Sequence, residues 1–503
     1  MDPEYRVTCR PSLIFVFFCI GVQAFMAYNG GATSATVHTI REEGNWGPAA
    51  SGALGAMDKL GMTVASPIFG FFLQSWPAKT LLILGLFINA GSTLLFATLQ
   101  NHLSMCTVKF FMGLTEGLQW VWAPLWIARW ADKEHVSLWM TISGGVVAGV
   151  GSGLGFVIAG FGTANGFSYG FAFKVEGGAL FVLWLGLLSV SRMGFSIKAD
   201  IVREASAAVG DDLSHLGLEQ PLETFSDVTQ MSVSMLKGFK AKLVSKGTFR
   251  RAERHKTFKS QLQELWRNKI FCCSALALAS FNFTTNGMQF SWIMTFTCLW
   301  GISYNVVASS FIGLIAAGGV FGVVAQSFVR LGGNTAAERE RISKFVIKAY
   351  LISAIGALLA FLGVLLHILS ILSLWPSLIM VWTAMFIVAS GLNSTSGLLM
   401  ILCTKSVDDE QTRSLGTGIY QCLSNLLGLS FGPFLPQLVI SMTETVFDLP
   451  PDLSDHSCDN SKALVAGFGA LLLGPVIGCF FAWLGLRAAR HDLRLDSNAL
   501  LLK

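Results

Sequence analysis

Along the chain, apolar stretches of 20 residues or more alternate with short polar breaks. Twelve such runs fall near 12–34, 49–73, 79–98, 104–128, 136–162, 175–194, 270–298, 303–329, 345–367, 374–402, 414–440 and 464–488. As a helix, each is long enough to cross about 30 Å of hydrocarbon. A transmembrane barrel would instead need short segments alternating with period two, and these runs are too long and too uniformly apolar for that. The pattern predicts an all-α membrane protein with twelve transmembrane helices.

Composition agrees. Of 503 residues, 53% are hydrophobic and 13% charged, with a mean hydropathy of +0.59, a membrane composition. Most of the 35 Lys and Arg lie in the N-terminus, the even-numbered loops and the C-terminus; the odd-numbered loops hold only Arg41, Lys174 and Lys462. Because positive flanks are retained on the cytosolic side, this asymmetry predicts that both termini and the long middle loop are cytosolic. The net charge of +5 then reflects topology and gives no reason to expect a nucleic-acid partner. The first run is too long for a cleavable signal and is expected to remain as a helix. Cys19, Cys106, Cys272, Cys273, Cys422 and Cys479 fall within apolar runs and Cys458 in an outer loop without an obvious loop partner, so no disulfide framework is expected. The sequons at Asn282 and Asn393 lie inside runs, out of reach of glycosylation.

Residues 195–269 break the pattern: they are acidic first, then basic, with Phe249, Phe258, Leu262, Leu265 and Trp266 among the later charges. This segment divides the chain into 1–194 and 270–489, six runs each, leaving 490–503 as a cytosolic tail. Its basic part reads as a solvated linker, with a helix on the anionic leaflet or a calmodulin-type target as alternatives.

A short phrase is repeated between the halves. "FGFFLQSW" at 69–76 returns as "FGVVAQSF" at 321–328, and "YNGG" at 28–31 is echoed by "TNGM" at 285–288. Related phrases at corresponding places in two six-helix units indicate parallel repeats around a central cavity, the layout of the major facilitator fold. Within that superfamily, "SPIFGFFLQSWPAK", "KFFMGLTEG" and "GVGSGLGF" resemble segments of the spinster family, transporters of lysophospholipids and sphingoid lipids. The likeness is good over the first five runs and weak thereafter. Where the family has an Asp and an Arg in its first helix, this chain has Asn29 and Gly30; where the superfamily's cytosolic turn has an Asp, it has Gln74 and Gln326. The turns are therefore expected to be gates that keep a hydrogen bond without its charge-assisted part, on the order of 1 kcal/mol.

Ionisable residues in mid-membrane cost about 2.5–3.5 kcal/mol each and call for a reason. Asp58 and Lys59 fall in the second run, Lys109 and Glu116 in the fourth. Lys109 and Glu116, seven apart, share a helical face that Trp120 continues. They match the resemblance's basic and glutamate positions, making Glu116, Lys109 and Asp58 candidates for proton coupling or a structural ion pair. The resemblance also implies that the first, fourth, seventh and tenth helices line the cavity. There Asn29, Gln119, Trp120, Asn282, Thr285, Asn286, Gln289 and Asn393 are candidate substrate contacts, with helix–helix glue as the alternative role. Gly145, Gly149 and Gly153, together with Gly151 and Gly155, suit close helix packing in the fifth.

The expected function is secondary active transport by alternating access, with protons as a candidate coupling ion. The expected substrate is a lysophospholipid or sphingoid lipid; the alternatives are a polar metabolite such as a sugar or organic anion, or lipid scrambling or channel activity on the same fold. No phosphate-binding loop is present, and the eight His fall in loops or at helix ends, so enzyme activity, cofactors and metals are not expected. The expected partners are the substrate, the bilayer and protons, with the chain a monomer. "DSNALL" at 496–501 fits an acidic dileucine sorting signal and, with the family's habits, points to an endolysosomal membrane, the plasma membrane being the alternative.

Overall fold

A computed structural model of the protein describes residues 11–44, 48–132, 135–191, 193–195, 257–302, 304–329, 335–407, 409–446 and 461–501. Twelve long helical stretches among them fall on the twelve apolar runs. In the first half these are α1 (11–44), α2 (Pro48–Phe72), α3 (Ala78–Phe96), α4 (His102–Trp130), α5 (136–164) and α6 (Gly170–Ser189). The second half has α7 (Lys269–Trp300), α8 (Tyr304–Ser327), α9 (Ala336–Ile368), α10 (Leu374–Lys405), α11 (410–446) and α12 (Ser461–Leu501). No strand occurs among the described residues, and seven helices are long and apolar enough, by length and composition, to cross a membrane.

The ends follow local chemistry. Asn101 caps α4, its side chain accepting from the backbone N–H groups of Leu103 and Ser104 at 2.9 and 3.3 Å, while Asp409 caps α11 through Thr412 N at 3.1 Å. Such caps satisfy donors that the first helical turn leaves open. Three helices contain π-helical stretches, at 15–21 in α1, 142–146 in α5 and 424–430 in α11. π-Bulges frequently mark functional sites, and the last two of these lie beside the surfaces where the halves meet. The helix α12 continues to Leu501, so most of the expected tail is helical.

Within the first half, small residues let helix backbones touch. A Cβ placed on Gly31 would lie 1.8 Å from Ser152 O, and one on Gly155 would lie 2.0 Å from Tyr28 O, so α1 and α5 cross in direct contact. The crossing of α2 and α4 is equally close at Gly113, against the backbone of Asp58. Packing through small residues is how helices associate where lipid removes the hydrophobic drive between them.

The halves meet at the end of the bundle where α2 finishes and α11 begins. The Ser414 hydroxyl donates to Gly70 O at 2.7 Å, and a Cβ on Gly418 would lie 2.3 Å from Ser66 O. On the other side of the bundle the Thr141 hydroxyl donates to the Gln326 amide oxygen, and Gly397 packs against Thr141. A short linker helix, Phe258–Arg267, lies under this closed end. Its Gln261 and Leu265 are fully buried while Trp266 is exposed, so this part of the linker docks on the bundle through one face. Residues 196–256, which carry the rest of the expected linker, fall outside the described residues.

Candidate functional site

A cavity of about 140 Å³ lies between the halves, lined by residues of both. Its two walls differ in kind. The first half contributes Asp58, Lys59, Glu116, Trp120 and the small residues Gly30 and Gly149, while the second contributes Asn282, Thr285, Asn286, Asn393, Gln421 and Asn425. Among the described lining residues, every ionisable group comes from the first half.

The charged groups sort into partners. The Lys59 ammonium is 2.9 Å from the Asp58 carboxylate. Lys109, fully buried, donates to Asn29 Oδ1 and to Thr33 Oγ1, and lies over the rings of Phe96 and Phe173 at 4.8 and 5.2 Å, within range for cation–π attraction. Asn29 Nδ2 in turn donates to both carboxylate oxygens of Glu176, each at 3.2 Å. Asn29 thus relays the ammonium of α4 to a carboxylate of α6, satisfying a buried cation and a buried anion with one amide. The expected direct pair between Lys109 and Glu116 is not formed: they make no ion pair within 4 Å.

Glu116 therefore stands apart. It is 1% exposed, no ion pair reaches it among the described residues, and its Oε1 has no hydrogen-bond partner. A buried carboxylate without a cation or donors is strongly unfavourable.

The opposite wall is neutral. Asn282 Nδ2 donates to the Ser424 hydroxyl, Asn286 Nδ2 donates to Asn282 O at 3.0 Å, and Gln421 Nε2 crosses between the halves to Trp120 O at 3.2 Å. Other expected residues have different places. Gln119 points away from the cavity, its Nε2 donating to Phe18 O at 2.6 Å inside the first half, and Asn29 is buried behind the wall in its relay. The side chain of Gln289 and the surroundings of Gly145 lie outside the described residues. Gly149 lines the cavity and Gly153 is buried, whereas Gly151 and Gly155 make the close approach to α1.

Both amides of the repeated turn phrase, Gln74 and Gln326, are engaged. Gln74 and Gln261 of the linker helix exchange hydrogen bonds, Gln74 Nε2 to Gln261 Oε1 at 3.1 Å and the reverse at 3.3 Å. Gln326 Nε2 donates to the carbonyls of Asn393 and Ser394 at 3.3 and 2.7 Å.

Sequence reasoning passed over Glu176, Gln421 and Asn425. The sixth run begins at 175, which puts Glu176 at its edge beside Lys174; the helix begins at Gly170 and carries Glu176 about two turns inside. The two amides are single polar positions in a long apolar run, and only the packing distinguishes such positions from helix glue.

Two bundles of six helices around a central cavity, with related turns in each half, define a transporter of the major facilitator class. The family model for the Major Facilitator Superfamily matches residues 13–433, and the chain belongs to that superfamily. A bacterial homologue of the human lysosomal transporter Spinster, solved inward-facing and unoccupied, is similar over 97% of this chain and 99% of its own, at 13% identity and a TM-score of 0.59. The proton:xylose symporter XylE bound to 6-bromo-6-deoxy-D-glucose is similar over 94% of this chain and 95% of its own, at 12% identity and a TM-score of 0.61. The human organic anion transporter MFSD10 (TETRAN) is similar over 96% of this chain and 100% of its own, at 13% identity and a TM-score of 0.53. At these identities the likeness is one of fold. No curated protein sequence matches the chain.

Proposed function

We propose that the protein is a proton-coupled secondary transporter that moves an organic solute with a polar head by alternating access, a lysophospholipid or sphingoid lipid being the amphiphilic form of such a solute. The observation that carries this is Glu116: a fully buried, unpaired carboxyl on the cavity wall. Among the described residues, the nearby charges are Asp58, Lys59, Lys109 and Glu176. Two cations and three carboxyl groups leave one negative charge over, and with Lys59 on Asp58 and Lys109 relayed to Glu176 it falls on Glu116. Loading a proton there neutralises the site, and releasing it on the other side couples transport to a pH gradient.

The closed end supports alternating access. Gly70 against Ser414 and Gly418, and Thr141 against Gln326 and Gly397, are contacts between the halves that must part for the cavity to open there. The positive-residue asymmetry makes that end cytosolic. In this reading both termini are cytosolic, the chain works as a monomer in the bilayer, and the dileucine-type tail addresses it to an endolysosomal membrane.

A second reading, transport of a polar metabolite, is favoured by the cavity's size. At about 140 Å³ it is smaller than the ~300–1,000 Å³ typical of sites for drug-sized ligands, so a head group or a small solute fits this conformation and a long acyl chain does not.

The test is uptake into liposomes holding the purified chain, comparing labelled lysolipids, sugars and organic anions with pH gradients of either sign. Accumulation against a concentration gradient, lost in Glu116→Gln, is expected. Flux that neither saturates nor concentrates would assign scrambling or channel activity instead.

A further inference from the structure

We propose that the solute carries an organic ammonium group, and that this group binds at Glu116 in the place the proton occupies in the empty transporter. The inference rests on the reading of Glu116 as the proton site and goes beyond it by naming the chemistry of the cargo.

Three observations converge. First, one negative charge is left over after the Asp58–Lys59 pair at 2.9 Å and the Lys109–Asn29–Glu176 relay are formed, so a monovalent cation completes the site. Second, the Glu116 Oε1 without a partner is an unfilled acceptor in a carboxyl that is 1% exposed and lines the cavity. A proton silences such an acceptor, and an ammonium group neutralises it by charge, adding a charge-assisted hydrogen bond where its nitrogen carries hydrogen. Third, Trp120, one turn further along the same helix, lines the same cavity. A carboxylate beside an indole is the combination that favours alkylammonium over a hydrated metal ion, because the ring attracts the cation's soft surface as it leaves water.

The groups around Glu116 leave little room for other ionic chemistry. From α2 it faces Asp58 and Lys59, from its own helix Lys109, and beyond these Glu176 of α6; among the described residues, the second half brings only neutral side chains to the cavity. An anionic cargo without an ammonium group would add to the uncompensated negative charge, since both cations are already engaged. The neutral amides Asn282 and Asn286 across the cavity suit the polar part attached to the ammonium.

One carboxylate that holds either a proton or a cation makes the two ligands competitors. Raising the pH then strengthens cargo binding by about tenfold per unit while Glu116 is mostly protonated, levelling off once it is ionised. Because binding releases the proton, the exchange runs as cargo against proton.

The ammonium group has two sources, a free amine or the head group of a zwitterionic lysolipid, and the experiment separates them. Binding to the purified full chain is measured by calorimetry from pH 5 to 8 with choline, its uncharged isostere 3,3-dimethylbutanol, lysophosphatidylcholine and lysophosphatidylglycerol. Choline or lysophosphatidylcholine is expected to bind at least ~10-fold tighter than its counterpart lacking the ammonium, with the pH dependence above. Tight binding of choline itself identifies a free amine as cargo; binding of lysophosphatidylcholine alone identifies the lipid head group. Equal binding of charged and uncharged partners, binding of neither, or cation binding indifferent to pH overturns the proposal. Glu116→Gln is expected to lose the preference for the ammonium probes together with its pH dependence; should it fold poorly, Trp120→Leu serves in its place, with a severalfold weakening expected for the ammonium probes only. A wild-type chain that accumulates a non-ammonium solute in response to a pH gradient would sink this inference and leave the proton reading standing; a chain whose flux ignores pH gradients would sink that reading first.

Discussion

The two walls of the cavity are built from different chemistry. Among the described residues, the wall of the first half holds two cations and three carboxyl groups within or just behind its surface, while that of the second presents amides and a hydroxyl among apolar side chains and no ionisable group. A pseudo-symmetric fold has thus been filled asymmetrically. Charge in a low-dielectric setting has large and switchable energetics, whereas neutral hydrogen bonds contribute on the order of 1 kcal/mol each and change little with pH. Under the proposed function, coupling falls to the first half and recognition of the cargo's polar body to the second.

That assignment breaks most readily at Glu116. Glu116→Gln keeps the shape and cannot ionise, so gradient-driven accumulation in liposomes should fall to the level of empty vesicles, and binding of an ammonium-bearing cargo should weaken with it. Next comes the relay. Asn29→Leu removes the amide between Lys109 and Glu176 and leaves two buried charges unpartnered, a loss on the order of 3–5 kcal/mol that should lower the thermal unfolding temperature in detergent. A wild-type melting curve for that variant would contradict the relay. In the second half, Asn282→Ala and Asn286→Ala should each weaken the apparent affinity for cargo by about fivefold, the equivalent of ~1 kcal/mol, without moving the pH profile. A shifted profile in either would dissolve the division of labour.

The smallest effect is expected at the gate. Gln74→Ala removes the paired amide contact between α2 and the linker helix, worth about 1 kcal/mol. It should shift the balance between conformations severalfold, read as faster labelling of a cysteine placed at Ser414. Unchanged labelling would mean that the glycine crossings alone set the closed end.

The fold was legible because the requirement it answers is global. A bilayer asks for about 20 apolar residues per crossing, and twelve stretches announce themselves whatever they pack against. The site was legible only where a residue is unusual for its surroundings. Glu116 and Asp58 stand out in apolar runs, and the structure places both on the cavity wall. Which charge pairs with which was not legible, since pairing depends on how α1, α4 and α6 pack. Lys109 and Glu116 share a helical face by spacing, yet the nearer solution for Lys109 lies across the bundle at Asn29 and Thr33. Gln119 shows the same limit: its spacing fits the polar face of α4, and its amide turns inward to Phe18 O. In the gate phrase, Gln74 and Gln326 occupy the same place in two copies of one motif but bind different partners, because only the first copy has the linker helix beneath it.

The central claim is that one unpaired carboxyl in the first half carries the exchangeable proton. It is tested most directly by titrating the infrared carboxyl band of the purified wild-type and Glu116→Gln proteins, with no cargo present. A protonated-carboxyl band that disappears as the pH rises above the ordinary carboxyl range in the wild type, and is missing from the variant over that same range, is the predicted result. The same titrating band in both proteins would contradict it and move the proton to Asp58 or Glu176.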